Sequence, residues 1–392
     1  MFASSPRDQP EPEAAPPLQN QAAPTDPCPF ERAIGCRAGL AVGWVAIALL
    51  LSGCQTARFY SQAVTGHWEI LARREKVDRL LARDETPPGL RQQLRLAEDL
   101  CRFAESELGL PAHGQYRHYA DLERPYVVWN VFAAPEFSLE AKTWCYPVVG
   151  RLDYQGYFRE AMAQDYARRL AQQGYDVHVG GVDAYSTLGW FRDPLLNTFV
   201  FLPEPELADL LFHELAHQRL FFANDTECNE AFATTVARAG VRRWLAANGH
   251  DSALEVYQEQ QRRDDEVAAL IHAARQQLET VYAVPRNSDA DPVRQAKAAI
   301  IEQLRAEYAA RRQAWPGYAG YEAWMAGPIN NARLNSVDLY TRWVPVLERL
   351  LAGVGGDLEE FYRLMEKLRG GSSEQRRATL RWFEAQSAQR SD

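Results

Sequence analysis

The clearest helical pattern in the chain lies near its middle, between about residues 204 and 220. Apolar side chains recur there at spacings of three and four residues, the repeat of one helix face. They are Leu207, Leu210, Leu211, Leu215 and Leu220. Pro205 suits a first helical turn, and its acidic neighbours Glu204 and Glu206 suit the positive end of the helix dipole. The pattern predicts a buried helix.

A second helix is predicted directly after a short turn. Residues 223–226 read Ala-Asn-Asp-Thr, a run of turn and N-cap residues. Apolar residues then fall on one side of a helix from about Glu227 to Ala247, namely Phe232, Val236 and Trp244. We expect the two helices to pack against each other.

The residues before this helix pair combine helices with short strands. Apolar spacing predicts helices, and runs of β-branched and aromatic residues predict strands. The expected helices cover 60–83, 89–108 and 158–173, and the expected strands cover 126–132, 143–149, 176–179 and 185–191. A small twisted sheet should therefore precede the central helix.

The rest of the chain is predicted to be helical. The expected helices cover 252–283, 292–312, 336–352, 357–369 and 373–386. The fold class is thus α+β and mainly helical, with a helical C-terminal lobe. We expect one domain over residues 54–392, with N-terminal helices at 54–125, the sheet and central helices at 126–248, and the helical lobe at 249–392.

A leader is predicted before residue 54. Residues 1–31 are rich in Pro and Ala, and an apolar run at 40–51 follows two arginines. The run is too short to span a bilayer and ends in Leu-Ser-Gly-Cys, which resembles a bacterial lipoprotein box with Cys54 as the lipidated residue. It predicts a protein of the bacterial envelope, anchored in the outer membrane and facing the periplasm. A plain secretory signal is the alternative.

Charge argues against a nucleic-acid partner. The chain carries 43 Lys and Arg against 52 Asp and Glu, a net charge of −9, and contains no basic run. Besides Cys54, three cysteines lie beyond the leader, namely Cys101, Cys145 and Cys228. In an oxidising compartment Cys101 could pair with Cys145, although three thiols allow three pairings, and the alternative is that they stay reduced.

The central helix carries the motif His-Glu-x-x-His. His213 and His217 are four residues apart, so a helix places both imidazoles on one face, where they can bind one zinc ion. Glu214 lies beside that pair, where a carboxylate can take a proton from water at the metal. The sequence therefore predicts one Zn²⁺ per chain.

The third ligand should come from the second helix. Glu230 lies in its first turn and can face back to the histidines, which would leave a fourth coordination position open for water. Glu227 is the competitor. We favour Glu230 because it lies inside the helical pattern, whereas Glu227 lies nearer the cap.

These motifs, with several other segments, resemble the putative bacterial aminopeptidases, a family of zincin-type metallopeptidases of the gluzincin kind. The resemblance covers most of the chain after residue 60. It rests on His213–Gln218, Asn229–Thr234, Trp129–Ser138, Trp144–Pro147, Ala184–Phe191, Asp193–Pro194 and Asn330–Leu334. It implies a zincin-like fold for residues 54–392, His213, His217 and Glu230 as zinc ligands, and Glu214 as general base. Cys228 departs from the aromatic residue expected at its position.

A peptidase of this kind also has to hold its substrate. The strand at 185–191 could pair with an extended peptide, and Gly189 would allow close backbone approach. Tyr340 is the candidate donor to the oxyanion, with Tyr321 behind it. Glu136 could pair with a free substrate amine.

Together these features predict a zinc-dependent peptidase, most simply an aminopeptidase, whose substrates are peptides. An endopeptidase would share all of this chemistry. The competing class is a zinc-containing envelope lipoprotein without activity that binds a partner. The open coordination position argues against that class, because structural zinc normally has four protein ligands.

Overall fold

A computed structural model describes residues 53–146, 150–184, 192–284, 290–318 and 320–388. The described chain is mainly helical with small sheets, which confirms the predicted class at that level. The helices are α1 (Gly53–Ala72), α2 (Val77–Ala82), α3 (Pro88–Leu108), α4 (Glu160–Gln172), α5 (Glu204–Arg219), α6 (Thr226–Ala247), α7 (Asp251–Ala283), α8 (Asp291–Arg312), α9 (Glu322–Ala326), α10 (Asn331–Thr341), α11 (Val344–Gly353), α12 (Leu358–Arg369) and α13 (Ser373–Ala388).

Short strands form three small sheets. The strands are β1 (Glu75–Lys76), β2 (His118–Ala120), β3 (Val128–Pro135), β4 (Trp144–Tyr146), β5 (Gly150–Leu152), β6 (Gln155–Tyr157), β7 (Tyr175–Val182) and β8 (Leu195–Leu196). The sheet orders are β1-β2-β8, β6-β3-β7 and β4-β5. In the second sheet β3 is antiparallel to both neighbours, so that Asn130 lies opposite Gly156 on one side and Gly180 on the other.

The two faces of β3 meet different parts of the molecule. Successive side chains of a strand point to opposite faces. Trp129 and Val131 pack in an apolar cluster with residues of α4, whereas Phe132 packs with Leu339 and Tyr340 of α10. The sheet therefore separates the α4 side from the α10 side.

The pair α5 and α6 lies in the largest apolar core. Leu207, Leu211 and Leu215 of α5 are fully buried, as is Phe232 of α6. At Gly240 of α6 a Cβ atom would come within 2.7 Å of the Phe212 side chain. The absence of a side chain there allows α6 to approach α5 closely.

Two predicted helices are wrong in their extent. The helix expected at 60–83 ends at Ala72, because Glu75 and Lys76 pair as a strand with Tyr119 and His118. The helix expected at 336–352 is instead α10 followed by α11. Pro345 lies in the first turn of α11, and proline has no N–H to continue the α10 ladder.

Some of the other predictions concern residues that the structure does not describe. Residues 1–52 of the predicted leader and the whole of the strand expected at 185–191 lie outside the described residues. Within them, no helix combines the length and apolarity that crossing a membrane requires. Within the described part of the chain, Cys101, Cys145 and Cys228 form no disulfide with one another.

Candidate metal centre

Helix α5 places two imidazoles side by side. The Nε2 atoms of His213 and His217 lie 3.1 Å apart, as expected for residues one helical turn apart on the same face. His217 is only 7% exposed, so the surrounding core fixes its orientation. Glu204 and Glu206 lie in the first turn of α5, as the sequence predicts.

Helix α6 brings a carboxylate to the same point. Glu230 Oε2 lies 3.2 Å from His213 Nε2 and 3.7 Å from His217 Nε2. Among the described residues, these three side chains form a group whose ligand atoms all lie within 4.8 Å of one another. Two imidazole nitrogens and one carboxylate oxygen are a donor set that suits zinc.

Charge couples the members of this group. Burial acts to raise the pKa of Glu230, but the charge and hydrogen bond of His217, together with those of His213, outweigh it and lower the pKa to about 2. Burial likewise acts to lower the pKa of His213, yet its contact with Glu230 raises that pKa to about 9. The carboxylate of Glu230 therefore stabilises a positive charge on the neighbouring imidazole. A metal ion bound at the same point would be stabilised in the same way, as expected for a cation site.

The competing glutamate points elsewhere. Glu227 Oε2 accepts a hydrogen bond of 3.2 Å from the indole N–H of Trp343 and lies 3.4 Å from the Nε atom of Arg377. It is absent from the group that contains the two histidines. The arrangement therefore favours Glu230 over Glu227 as the third donor.

The loop between α5 and α6 is held by its own side-chain contacts. The Asn229 amide is buried, accepts from the backbone N–H of Phe222 at 2.7 Å and donates to the carbonyls of Phe222 and Asp225 at 2.8 and 3.0 Å. Asn229, the residue before Glu230, thus holds the loop by hydrogen bonds. These bonds fix the position of the first turn of α6.

A buried ion pair fastens the same loop to the end of the chain. Asp225 caps α6 by accepting from the backbone N–H of Cys228, and Arg376 of α13 donates to its other oxygen at 2.6 Å. Arg376 also donates to the carbonyl of Ala223 at 3.2 Å. The relative exposures of the two side chains are 4% for Arg376 and 1% for Asp225.

Two tyrosines lie close to the carboxylates. Burial raises the pKa of Tyr340 well above its usual value, and the nearby charges of Glu230 and Glu214 add to the rise. The predicted oxyanion donor is thus near the metal group. Burial also raises the pKa of Tyr116, and the charge of Glu214 is the next cause. No sequence pattern singles out Tyr116, which lies in a loop far along the chain from the His-Glu-x-x-His motif.

The remaining candidates are less closely connected to the centre. Glu136 forms a two-point ion pair with Arg294, at 2.6 and 3.0 Å, so its carboxylate already has a cationic partner. Tyr321 contacts Trp324, and burial raises its pKa, with the charge of Asp264 as the next cause. Gly189 lies outside the described residues, and Cys54 is the second residue of α1.

Most of the chain matches the model of one protein family. The family is described as putative aminopeptidase, and the match covers residues 58–380. The chain belongs to this family, so its class is that of a peptidase. This confirms the resemblance at the level of the family. Searches of curated proteins and of solved structures gave no match.

Proposed function

We propose that the protein is a zinc-dependent aminopeptidase with a zincin-like fold. The observation that carries the proposal is the convergence of His213, His217 and Glu230, with their ligand atoms within 4.8 Å. The family match supports the peptidase class independently. A zinc ion held by these three side chains would polarise the scissile carbonyl and lower the pKa of a water molecule beside it.

The other steps belong to the chain's own residues. Glu214 adjoins the first histidine and serves as the general base, accepting a proton from the attacking water and delivering it to the leaving amine. Tyr340 donates a hydrogen bond to the oxygen on which negative charge develops. Its phenol keeps the proton to be donated at neutral pH, because the ordinary pKa of tyrosine is about 10 and burial raises it further.

Recognition of a free amino terminus needs an acidic group. The ion pair with Arg294 argues against Glu136 in this role. An experiment is therefore needed to distinguish aminopeptidase activity, which removes residues from the N-terminus, from endopeptidase activity, which cleaves internal bonds. A peptide library is treated with wild-type protein and with Glu214→Gln, and the products are identified by mass spectrometry.

Single residues removed from free N-termini are the expected products. Their formation should fall by about two orders of magnitude or more in Glu214→Gln, which keeps the shape but removes the base. Internal cuts in peptides with blocked N-termini would instead identify an endopeptidase. Equal cleavage by both proteins would refute the catalytic role of Glu214.

The metal ligands have a separate test. Metal analysis of the purified protein should find about one zinc per chain. Glu230→Ala should lose most of it, whereas the matched control Glu227→Ala should keep it, because Glu227 contacts Trp343 and Arg377 instead. The reverse result would refute the ligand assignment.

We further propose that Cys54 carries a lipid anchor and that the protein faces the periplasm from the outer membrane. Support comes from the Leu-Ser-Gly-Cys sequence that ends at Cys54. Cys54→Ser should release the protein from membranes or leave its leader uncleaved. Unchanged membrane association without incorporation of labelled acyl lipid would contradict the anchor.

A further inference from the structure

One face of α1 presents large apolar side chains to solvent. Tyr60 is 37% exposed, and Val64 and Trp68 are each 68% exposed. Their spacing of four residues places them in a row along one side of the helix. Single exposed apolar residues are common on protein surfaces, but an apolar row on one face indicates a surface that binds something.

The same helix is almost free of charge. Between Gly53 and Trp68 only one residue, Arg58, is an Asp, Glu, Lys or Arg. The other exposed positions in this part of the face carry small or hydroxylic residues, Ala57, Ser61 and Thr65. A solvated helix face normally carries charged side chains, so this composition suits an interface between water and an apolar phase.

An aromatic cavity adjoins the start of this face. It has a volume of about 330 Å³ and is walled by Phe59, Tyr60, Trp144, Tyr146, Tyr157 and Tyr166. The indole N–H of Trp144 donates to the Tyr166 hydroxyl at 2.9 Å, which holds one wall in place. Tyr60 belongs to both the cavity and the exposed row, so the two features form one continuous surface.

Two guanidinium groups also line the cavity. Arg58 and Arg169 have no carboxylate within ion-pair distance among the described residues, and the Nε atom of Arg169 is buried there without a hydrogen-bond partner. The one acid in the lining, Asp165, is paired with Arg168. The cavity therefore combines aromatic walls with unneutralised positive charge, which suits an anionic group attached to an apolar body.

The cavity is separate from the candidate metal centre. Tyr157 packs with Trp129 and Val131 on one face of β3, whereas Tyr340 packs with Phe132 on the other. A peptide bound at the metal centre therefore lies across the sheet from this cavity. A ligand held at the cavity and the α1 face would therefore be distinct from that peptide.

We propose that the α1 face and the aromatic cavity together bind the surface of a bilayer that contains anionic phospholipid. Tyr60, Val64 and Trp68 enter the interfacial layer, where tyrosine and tryptophan are favoured. Arg58 and Arg169 receive a lipid phosphate at the cavity. The position of the face supports this occupant, because α1 begins beside Cys54, the proposed anchor. This positional argument rests on the proposed anchor at Cys54, but the lipid contact itself requires neither acylation nor peptidase activity and is tested without them.

Quenching of tryptophan by brominated lipids tests this proposal. Full-length protein is bound to vesicles of neutral and anionic phospholipid with brominated acyl chains, and its emission is compared with that of two variants. Trp68→Phe removes the residue proposed to lie in the interface. Trp382→Phe is the matched control, since Trp382 of α13 is also exposed, at 58%.

We expect a quenched component of the emission that Trp68→Phe loses and Trp382→Phe retains. In the wild-type protein, quenching of this component should be stronger on anionic than on neutral vesicles. Arg169→Gln should abolish that difference. Quenching of Trp68 by acrylamide but not by brominated lipid would overturn the proposal. Shielding of Trp68 from acrylamide before vesicles are added would also overturn the proposal, because it would indicate that a protein partner or a second copy covers the face. An emission change caused by inorganic phosphate alone, without any effect of vesicles, would assign the cavity to free phosphate and also refute the proposal.

Discussion

Removal of Arg376 should destabilise the protein strongly, because it would leave a buried carboxylate without its partner. Arg376 is 4% exposed and donates to Asp225 at 2.6 Å and to the carbonyl of Ala223 at 3.2 Å. Breaking a buried pair by removing one partner costs about 3–5 kcal/mol. We therefore expect Arg376→Met to lower the free energy of unfolding by about that amount.

A double variant separates the uncompensated charge from the lost packing. Adding Asp225→Asn to Arg376→Met removes the buried charge, while the new amide oxygen can still cap α6. The double variant should therefore be more stable than Arg376→Met alone. Arg377→Met is the control. Arg377 forms an ion pair with Glu227 that is more exposed, because the relative side-chain exposures are 46% and 24%. Exposed ion pairs of this kind contribute less than about 1 kcal/mol to stability.

Urea unfolding of the four proteins, in the presence of a chelator, measures these differences without contributions from bound metal. Zinc affinity is then measured on the folded variants. We expect Arg376→Met to bind zinc about 10- to 100-fold more weakly, because the loop that positions Glu230 loses its anchor. If the single and double variants are equally stable, the buried charge is not the cause. If Arg377→Met is as damaging as Arg376→Met, burial does not distinguish the pairs.

Three further predictions concern the same region of the molecule. Tyr340→Phe should lower kcat by about 100-fold with little change in KM, as for loss of one oxyanion donor, whereas Tyr321→Phe should leave kcat near wild type in the same steady-state assay. Asn229→Ala should weaken zinc binding in a competition titration by about 10-fold or more, while Asn248→Ala at the far end of α6 should not. Burial raises the pKa of Asp153 from 3.8 to about 6, so folding favours the protonated carboxyl group. The free energy of unfolding should therefore decrease as the pH rises from about 4 to 6, because the buried group must then ionise. Asp153→Asn should raise the free energy of unfolding at pH 7 by up to about 3 kcal/mol, and the gain should vanish below about pH 4.

The grouping of the two histidines and the glutamate could be predicted from the sequence because its geometry is local. The four-residue spacing of His213 and His217 becomes a shared helix face as soon as α5 forms. Glu230 follows within one turn of the next helix, so a short loop brings it back to the histidines. The helices α5, α6, α7 and α8 likewise agree with the apolar periodicity to within a residue or two at most ends.

The contacts that support the centre were not predictable in the same way. Arg376 meets Asp225 across 151 residues, and nothing in the sequence around either one identifies the other. The ion pair between Glu136 and Arg294 spans 158 residues, which is why an isolated glutamate looked available for a substrate amine. Tyr116 approaches Glu214 only through tertiary packing. Such pairings depend on the complete fold, whereas periodicity reports single elements.

The contact between α13 and the α5–α6 loop also bears on the order of events during synthesis. The ribosome adds residues from the N-terminus onward, so both helices of the metal group emerge long before Arg376 does. Until the last helix arrives, the loop that joins them lacks its buried counterion. We therefore expect the nascent chain to hold the histidines and Glu230 in a loose arrangement. Uptake of the metal would then follow release of the finished chain, in whichever compartment that chain completes its folding.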